Sequence, residues 1–211
     1  MAIPQASAAL DAASGCPATD QRLFPRPQGP ACDIGAFELD YIAPQTTITS
    51  GPVGLRRSTS GQFSFASNEA GSTFQCRLDS AAFTSCGSPR SYTGLAQGPN
   101  TFRVRAIDRS GNVDATPAVR SFTVDTRRPQ TTITAGPSGS TRNRTPTFKF
   151  RSSEPSSTFK CALDSGPFGA CTSPHKTAKL SFGAHVFHVR ARDRAGNVDS
   201  TPAVRSFKVV H

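Results

Sequence analysis

Three kinds of residue in this 211-residue chain could do chemistry: six cysteines, two Asp-rich loops and a set of regularly spaced arginines. The cysteines fall as three local pairs, Cys16/Cys32, Cys76/Cys86 and Cys161/Cys171, and the last two pairs share one spacing. An even count in matched pairs reads as disulfides made in an oxidising compartment, with reduced structural thiols as the alternative. Zinc would need close C-x2-C or H-x3-H pairs, and the chain has none. Closing a hairpin-sized loop stabilises a small domain by roughly 3 kcal/mol in the chain-entropy account.

The Asp-rich loop runs Asp108-Arg109-Ser110-Gly111-Asn112-Val113-Asp114 and returns as Asp193 to Asp199. Asp108, Asn112 and Asp114, with their counterparts Asp193, Asn197 and Asp199, offer the oxygen donors that Ca²⁺ prefers. Glu69 and Glu154 precede expected turns and could add a ligand. Ser-Gly-Asn and Ala-Gly-Asn are also turn sequences, in which Gly supplies positive φ and Asn or Asp caps through its side chain. The turn reading is preferred, and no cofactor is expected.

Arg103, Arg105, Arg190 and Arg192 alternate with apolar residues, so they point outward from a strand. With Lys149, Arg151 and Lys160 they are expected to form a basic face suited to phosphate or uronate groups. Nucleic acid is not the expected partner, because the Phe residues alternate inward and only Tyr41 and Tyr92 add tyrosine rings for base stacking. Catalysis finds no foothold. There is no G-x-S-x-G, no H-E-x-x-H and no Gly-rich phosphate loop, and residues 43–126 contain no His. The chain is read as a non-enzyme.

All these residues except Cys16, Cys32 and Tyr41 sit in a stretch that occurs twice at an offset of 85 without insertion. Phe74-Gln75-Cys76-Arg77-Leu78-Asp79 returns as Phe159-Lys160-Cys161-Ala162-Leu163-Asp164. Pro44-Gln45-Thr46-Thr47-Ile48-Thr49 returns from Pro129, and Thr116-Pro117-Ala118-Val119-Arg120-Ser121-Phe122 from Thr201. A repeat sets the unit of folding. The expected organisation is therefore 1–42, 43–126 and 127–211, with junctions at Asp40–Gln45 and Asp125–Pro129. Those junctions are too short for free linkers, so neighbouring modules are expected to stack end to end.

Within a repeat, alternation predicts seven strands: Thr46–Thr49, Gln62–Ala66, Thr73–Asp79, Ala82–Cys86, Arg90–Leu95, Thr101–Asp108 and Val119–Val124. Phe63, Phe65, Phe102, Val104, Ala106 and Phe122 face inward. Trp is absent, Phe numbers 15, and Gly and Pro stand at 17 each. The fold class expected is all-β, two tandem immunoglobulin-like sandwiches behind a distinct N-terminal segment. The cysteine pair pins a hairpin and does not bridge two sheets.

Charge is uneven. Residues 1–42 carry about −3, residues 43–126 carry +3 and residues 127–211 carry +10. The start has no secretory-signal pattern, and no stretch approaches the roughly 18 apolar residues of a membrane helix. No membrane insertion is expected.

Two resemblances follow. Asp20-Gln21-Arg22, Arg26-Pro27, Gly29 and Cys32-Asp33-Ile34-Gly35-Ala36-Phe37-Glu38 resemble the choice-of-anchor Q region that closes parallel β-helix domains of secreted bacterial proteins. Leu23 departs from it where Gly is usual. Each repeat resembles the bacterial Ig-like repeats of secreted and cell-surface proteins, through Phe74–Asp79, Cys86-Gly87-Ser88-Pro89 and Phe102 to Ala118. The resemblances imply an extracellular or cell-surface location and a stalk or adhesive spacer, and the chain is expected to be a monomer. Alternatives are modules that bind carbohydrate or anionic cell-wall polymer, and a non-catalytic appendage of a polysaccharide-active β-helix enzyme.

Overall fold

The computed structural model describes residues 12, 14–21, 26, 31–33 and 40–211. It resolves into two compact units. One comprises residues up to Gly54 together with Ser60–Thr123, and the other Leu55–Thr59 together with Val124–His211. Each is built of β-strands, and the described residues contain no helix.

The first repeat contributes β1 (Thr46–Ser50), β2 (Gly54–Arg56), β3 (Gly61–Ser67), β4 (Thr73–Leu78), β5 (Thr84–Cys86), β6 (Arg90–Tyr92), β7 (Gly98–Ile107) and β8 (Ala118–Val124). They form a three-stranded sheet, β1-β3-β6, and a five-stranded sheet, β2-β8-β7-β4-β5. The second repeat contributes β9 (Thr131–Ala135), β10 (Ser140–Thr141), β11 (Thr147–Ser152), β12 (Thr158–Leu163), β13 (Gly169–Cys171), β14 (His175–Lys176), β15 (Gly183–Arg192) and β16 (Ala203–Val209). Its sheets are β9-β11-β14 and β10-β16-β15-β12-β13. Two sheets packed face to face make each repeat an immunoglobulin-like sandwich.

Alternation positions the core. Along β7, Phe102, Val104 and Ala106 are fully buried while Arg103 and Arg105 stay partly exposed. Phe63 of β3 crosses the sandwich and stacks on Phe102 with ring centroids 4.1 Å apart. The second unit repeats this with Phe148 of β11 on Phe187 of β15, also at 4.1 Å. Burying such rings contributes about 2 kcal/mol or more each, which compensates for the missing Trp.

The structure differs from expectation at three points. An eighth strand joins each repeat, β2 and β10. It is two or three residues long with no apolar alternation, so nothing in the sequence marks it. Its hydrogen bonds come from the sheet edge it joins, where β10 runs parallel to β16 with Ser140 opposite Lys208. The strand expected over Arg90–Leu95 ends at Tyr92, and Leu95 is buried beyond it. The expected single basic face is divided: Lys149 and Arg151 lie on β11, in the other sheet from Lys160, Arg190 and Arg192.

The β-helix-cap expectation for residues 1–42 falls largely outside the described residues. Those described include a disulfide between Cys16 and Cys32, with Cα atoms 6.4 Å apart. Arg26 N–H donates to the Ala18 carbonyl at 2.9 Å.

Candidate functional site

Disulfides join Cys76 to Cys86 and Cys161 to Cys171, each with Cα atoms 5.8 Å apart. Phe74 stands opposite Cys86 and Cys76 opposite Thr84, so the bridge runs diagonally across the β4/β5 hairpin. The β12/β13 hairpin carries the second bridge in the same register. Both bridges therefore fix an edge strand that contributes only three residues of pairing.

The two Asp-rich loops leave β7 and β15. Asn112 N–H donates to Asp108 Oδ1 and Asn112 Nδ2 to Asp108 Oδ2, both at 2.8 Å. Gly111 adopts φ 93°, the left-handed region that makes this turn possible. Asp193 accepts from Gly196 N–H at 2.7 Å and Asn197 N–H at 2.8 Å. The second Asp of each loop points elsewhere. Asp114 Oδ2 accepts from Thr46 N–H at 2.9 Å, and Oδ1 from Thr116 N–H at 2.8 Å and its hydroxyl at 2.9 Å. Asp199 does the same with Thr131 and Thr201. Burial pushes the carboxyls of Asp114 and Asp199 up. The Thr donors outweigh it and hold both below the usual carboxylate range.

The residues named for calcium therefore do not converge. Asp114 and Asp199 tie the first strand of their module to the end of β7 or β15. What gathers instead is Asp40, Glu69 and Asp108 in the first unit and Asp125, Glu154 and Asp193 in the second, each trio with carboxylate oxygens within 4.8 Å. Burial, then the neighbouring Asp40 and Asp108, push the Glu69 carboxyl up. Burial, then Asp125 and Asp193, push up Glu154, with Arg127 opposing. An all-oxygen set of three carboxylates has the donor chemistry of a hard divalent cation. Sequence reasoning missed Asp40 and Asp125; their signal was their own separation of 85 at the two junctions.

The arginines divide between the repeats. In the first, two guanidiniums lie over the Phe83 ring, Arg77 at 4.7 Å and Arg105 at 4.3 Å from its centroid. Arg105 also donates twice to Gln75 Oε1, from Nε at 3.0 Å and Nη2 at 2.8 Å. In the second, Arg190 lies 4.2 Å from the Phe168 centroid. Lys160 faces it across the strand pair, and Thr158 faces Arg192. Arg103 stands opposite Arg77 on the same outward face of the first unit.

No protein-family model matches the chain, and no curated protein does. Among solved structures, the chain is similar to fibronectin(III)-like modules of Clostridium thermocellum CbhA. That match has 18% identity and a TM-score of 0.42, over 78% of this chain and 94% of that one. A bacterial ice-binding adhesin of 1.5 MDa matches at 9% identity and TM-score 0.40, over 80% and 66%. A Ca²⁺-stabilized, ice-binding adhesin of an Antarctic bacterium matches at 15% and 0.39, over 82% and 49%.

Proposed function

We propose that the chain is a structural and adhesive spacer of a secreted or surface-exposed bacterial protein. The observation that carries this is duplication of a complete fastening scheme. Both repeats have the hairpin disulfide at one register, the stacked Phe pair, and the Asp tie from the last loop to the first strand. A single active site needs one copy, whereas resistance to unfolding and proteolysis is gained module by module. The disulfides form under oxidising conditions, which supports an extracellular or cell-surface location.

Stretching single molecules tests this reading. Two unfolding events of similar size are expected. With the disulfides closed, the segment spanned by each hairpin bridge, 10 residues in sequence separation, stays folded back. Reduction should lengthen each event by about 35 Å, at about 3.5 Å per residue. Extension without resolved events would rule out a load-bearing spacer.

A second reading is binding of anionic cell-wall or extracellular polysaccharide. The outward Arg103, Arg105, Arg190 and Arg192 favour it, because planar guanidiniums recognise carboxylate and phosphate in two-point fashion.

A further inference from the structure

The two repeats are one fold with one register, so each position in the second can be read against its counterpart 85 residues earlier. On the outward face of the five-stranded sheet three positions matter. Arg105 and Arg190 correspond, and each guanidinium lies on a Phe ring, Phe83 or Phe168. Gln75 corresponds to Lys160, and Ile107 to Arg192.

The first exchange removes the acceptor. In the first unit Arg105 is fastened to Gln75 Oε1 by two hydrogen bonds. In the second, an ammonium replaces that carboxamide directly opposite Arg190. Like charges facing each other across a strand pair are destabilising, and the Arg190 Nε is buried with no hydrogen-bond partner. The second exchange adds a further cation two residues along the same face. Arg57, in the Leu55–Thr59 segment that clusters with the second unit, donates from Nη1 to the Gly196 carbonyl at 3.4 Å.

These four cations line one cavity of about 290 Å³. Ala170, opposite Lys160, and the exposed Val198 give it apolar wall, and no acidic side chain lines it among the described residues. Such a site combines uncompensated charge with a surface that C–H groups can cover, at about the lower end of ligand-pocket volume. Arg190 is held flat by its ring, so its edge is preorganised for a planar, two-oxygen anion.

We infer that the second unit carries a carboxylate-binding pocket for a uronate-bearing polysaccharide, with Lys160, Arg190 and Arg192 on the carboxylate and the Ala170/Val198 wall under the sugar ring. The first unit, with Gln75 and Ile107, does not carry it. This rests on the polysaccharide-binding reading and is independent of the spacer reading, which the stretching experiment tests separately.

The test is affinity electrophoresis of the full chain, disulfides closed, through gels containing polygalacturonate, dextran, dextran sulfate or polyphosphate. Polygalacturonate should retard the wild type at 150 mM salt, and dextran should not. The double variant Lys160→Gln/Arg192→Ile installs the first unit's own residues and should weaken retardation at least ten-fold. Gln75→Lys/Ile107→Arg should strengthen it. Should the first double variant fail to fold, as judged by circular dichroism, the exposed single change Arg192→Gln replaces it and should weaken binding about three-fold or more. Retardation unchanged by these substitutions overturns the pocket, as does no retardation at low salt. Equal retardation by dextran sulfate or polyphosphate, with the same dependence on Lys160 and Arg192, overturns the assignment to uronate.

Discussion

His185 is a residue whose chemistry has no counterpart in the first repeat, where the position is Asn100. It is buried on β15, with Nδ1 2.9 Å from Asp164 Oδ2 and Nε2 3.1 Å from the Ser181 carbonyl. Two acceptors on two ring nitrogens are both satisfied only by the imidazolium. The hydrogen bond to Asp164 raises the pKa, burial opposes it, and the Ser181 carbonyl adds to the rise. Because the folded value lies above the unfolded one, this stabilisation is complete below about pH 6.5 and is lost as pH rises through the folded pKa. Asp164 runs the other way: its lowered carboxyl contributes above its unfolded value and loses that contribution in acid. Scanning calorimetry should therefore show the wild type losing stability relative to His185→Asn between pH 6 and 8. A constant difference across that range would contradict the assignment. Glu69 and Glu154 lie above their ordinary value through burial and neighbouring carboxylates, so ionising them at neutral pH opposes folding. Measured in EDTA, Glu69→Gln or Glu154→Gln should raise Tm by about a few degrees at pH 7 and leave it unchanged at pH 4.

At the scale of elements, the long strands were legible because buried Phe and Val alternate with polar residues over six to ten positions in β3, β7, β11 and β15. β2 and β10 were not, since two or three residues carry no period and exist by pairing alone. The candidate site was half legible for the same reason. The sequence marks Asp108 and Asn112 as one turn, but whether Asp114 or Glu69 faces that turn depends on how the strands fold back. A bulge within β1 and within β9 adds a further constraint. In the second repeat the register slips between Ile133 and Ala135, and Gly136, just past β9, holds φ 138° against the Phe148 ring. A Cβ at Gly136 would collide with that ring, and one at Gly51 would lie 2.7 Å from Phe63. Gly136→Ala should cost about 2 kcal/mol or more, combining a strained φ with a displaced core ring. Urea unfolding measures it, and a loss under about 0.5 kcal/mol would show that the ring moves freely.

At the scale of the whole molecule, each unit grips the chain that leads into it. Asn112 Nδ2 donates to the Asp40 carbonyl at 2.9 Å, and Asn197 Nδ2 to the Asp125 carbonyl at 2.8 Å. Both grips come from the loop after the longest strand, and both fall before the first strand begins. A fragment spanning residues 125–211 should accordingly be more stable than one spanning 129–211, by about 1 kcal/mol for the hydrogen bond. Comparing their chemical-denaturation midpoints decides this, and equal midpoints would mean that the grip contributes nothing. The same feature constrains ancestry. Asp40 and Asp125 are themselves 85 residues apart, so the period of the repeat extends upstream of the first strand to the peptide that is gripped. The heritable unit is the sandwich together with its own leading peptide, and further copies can be inserted or deleted in that phase without orphaning a single tie.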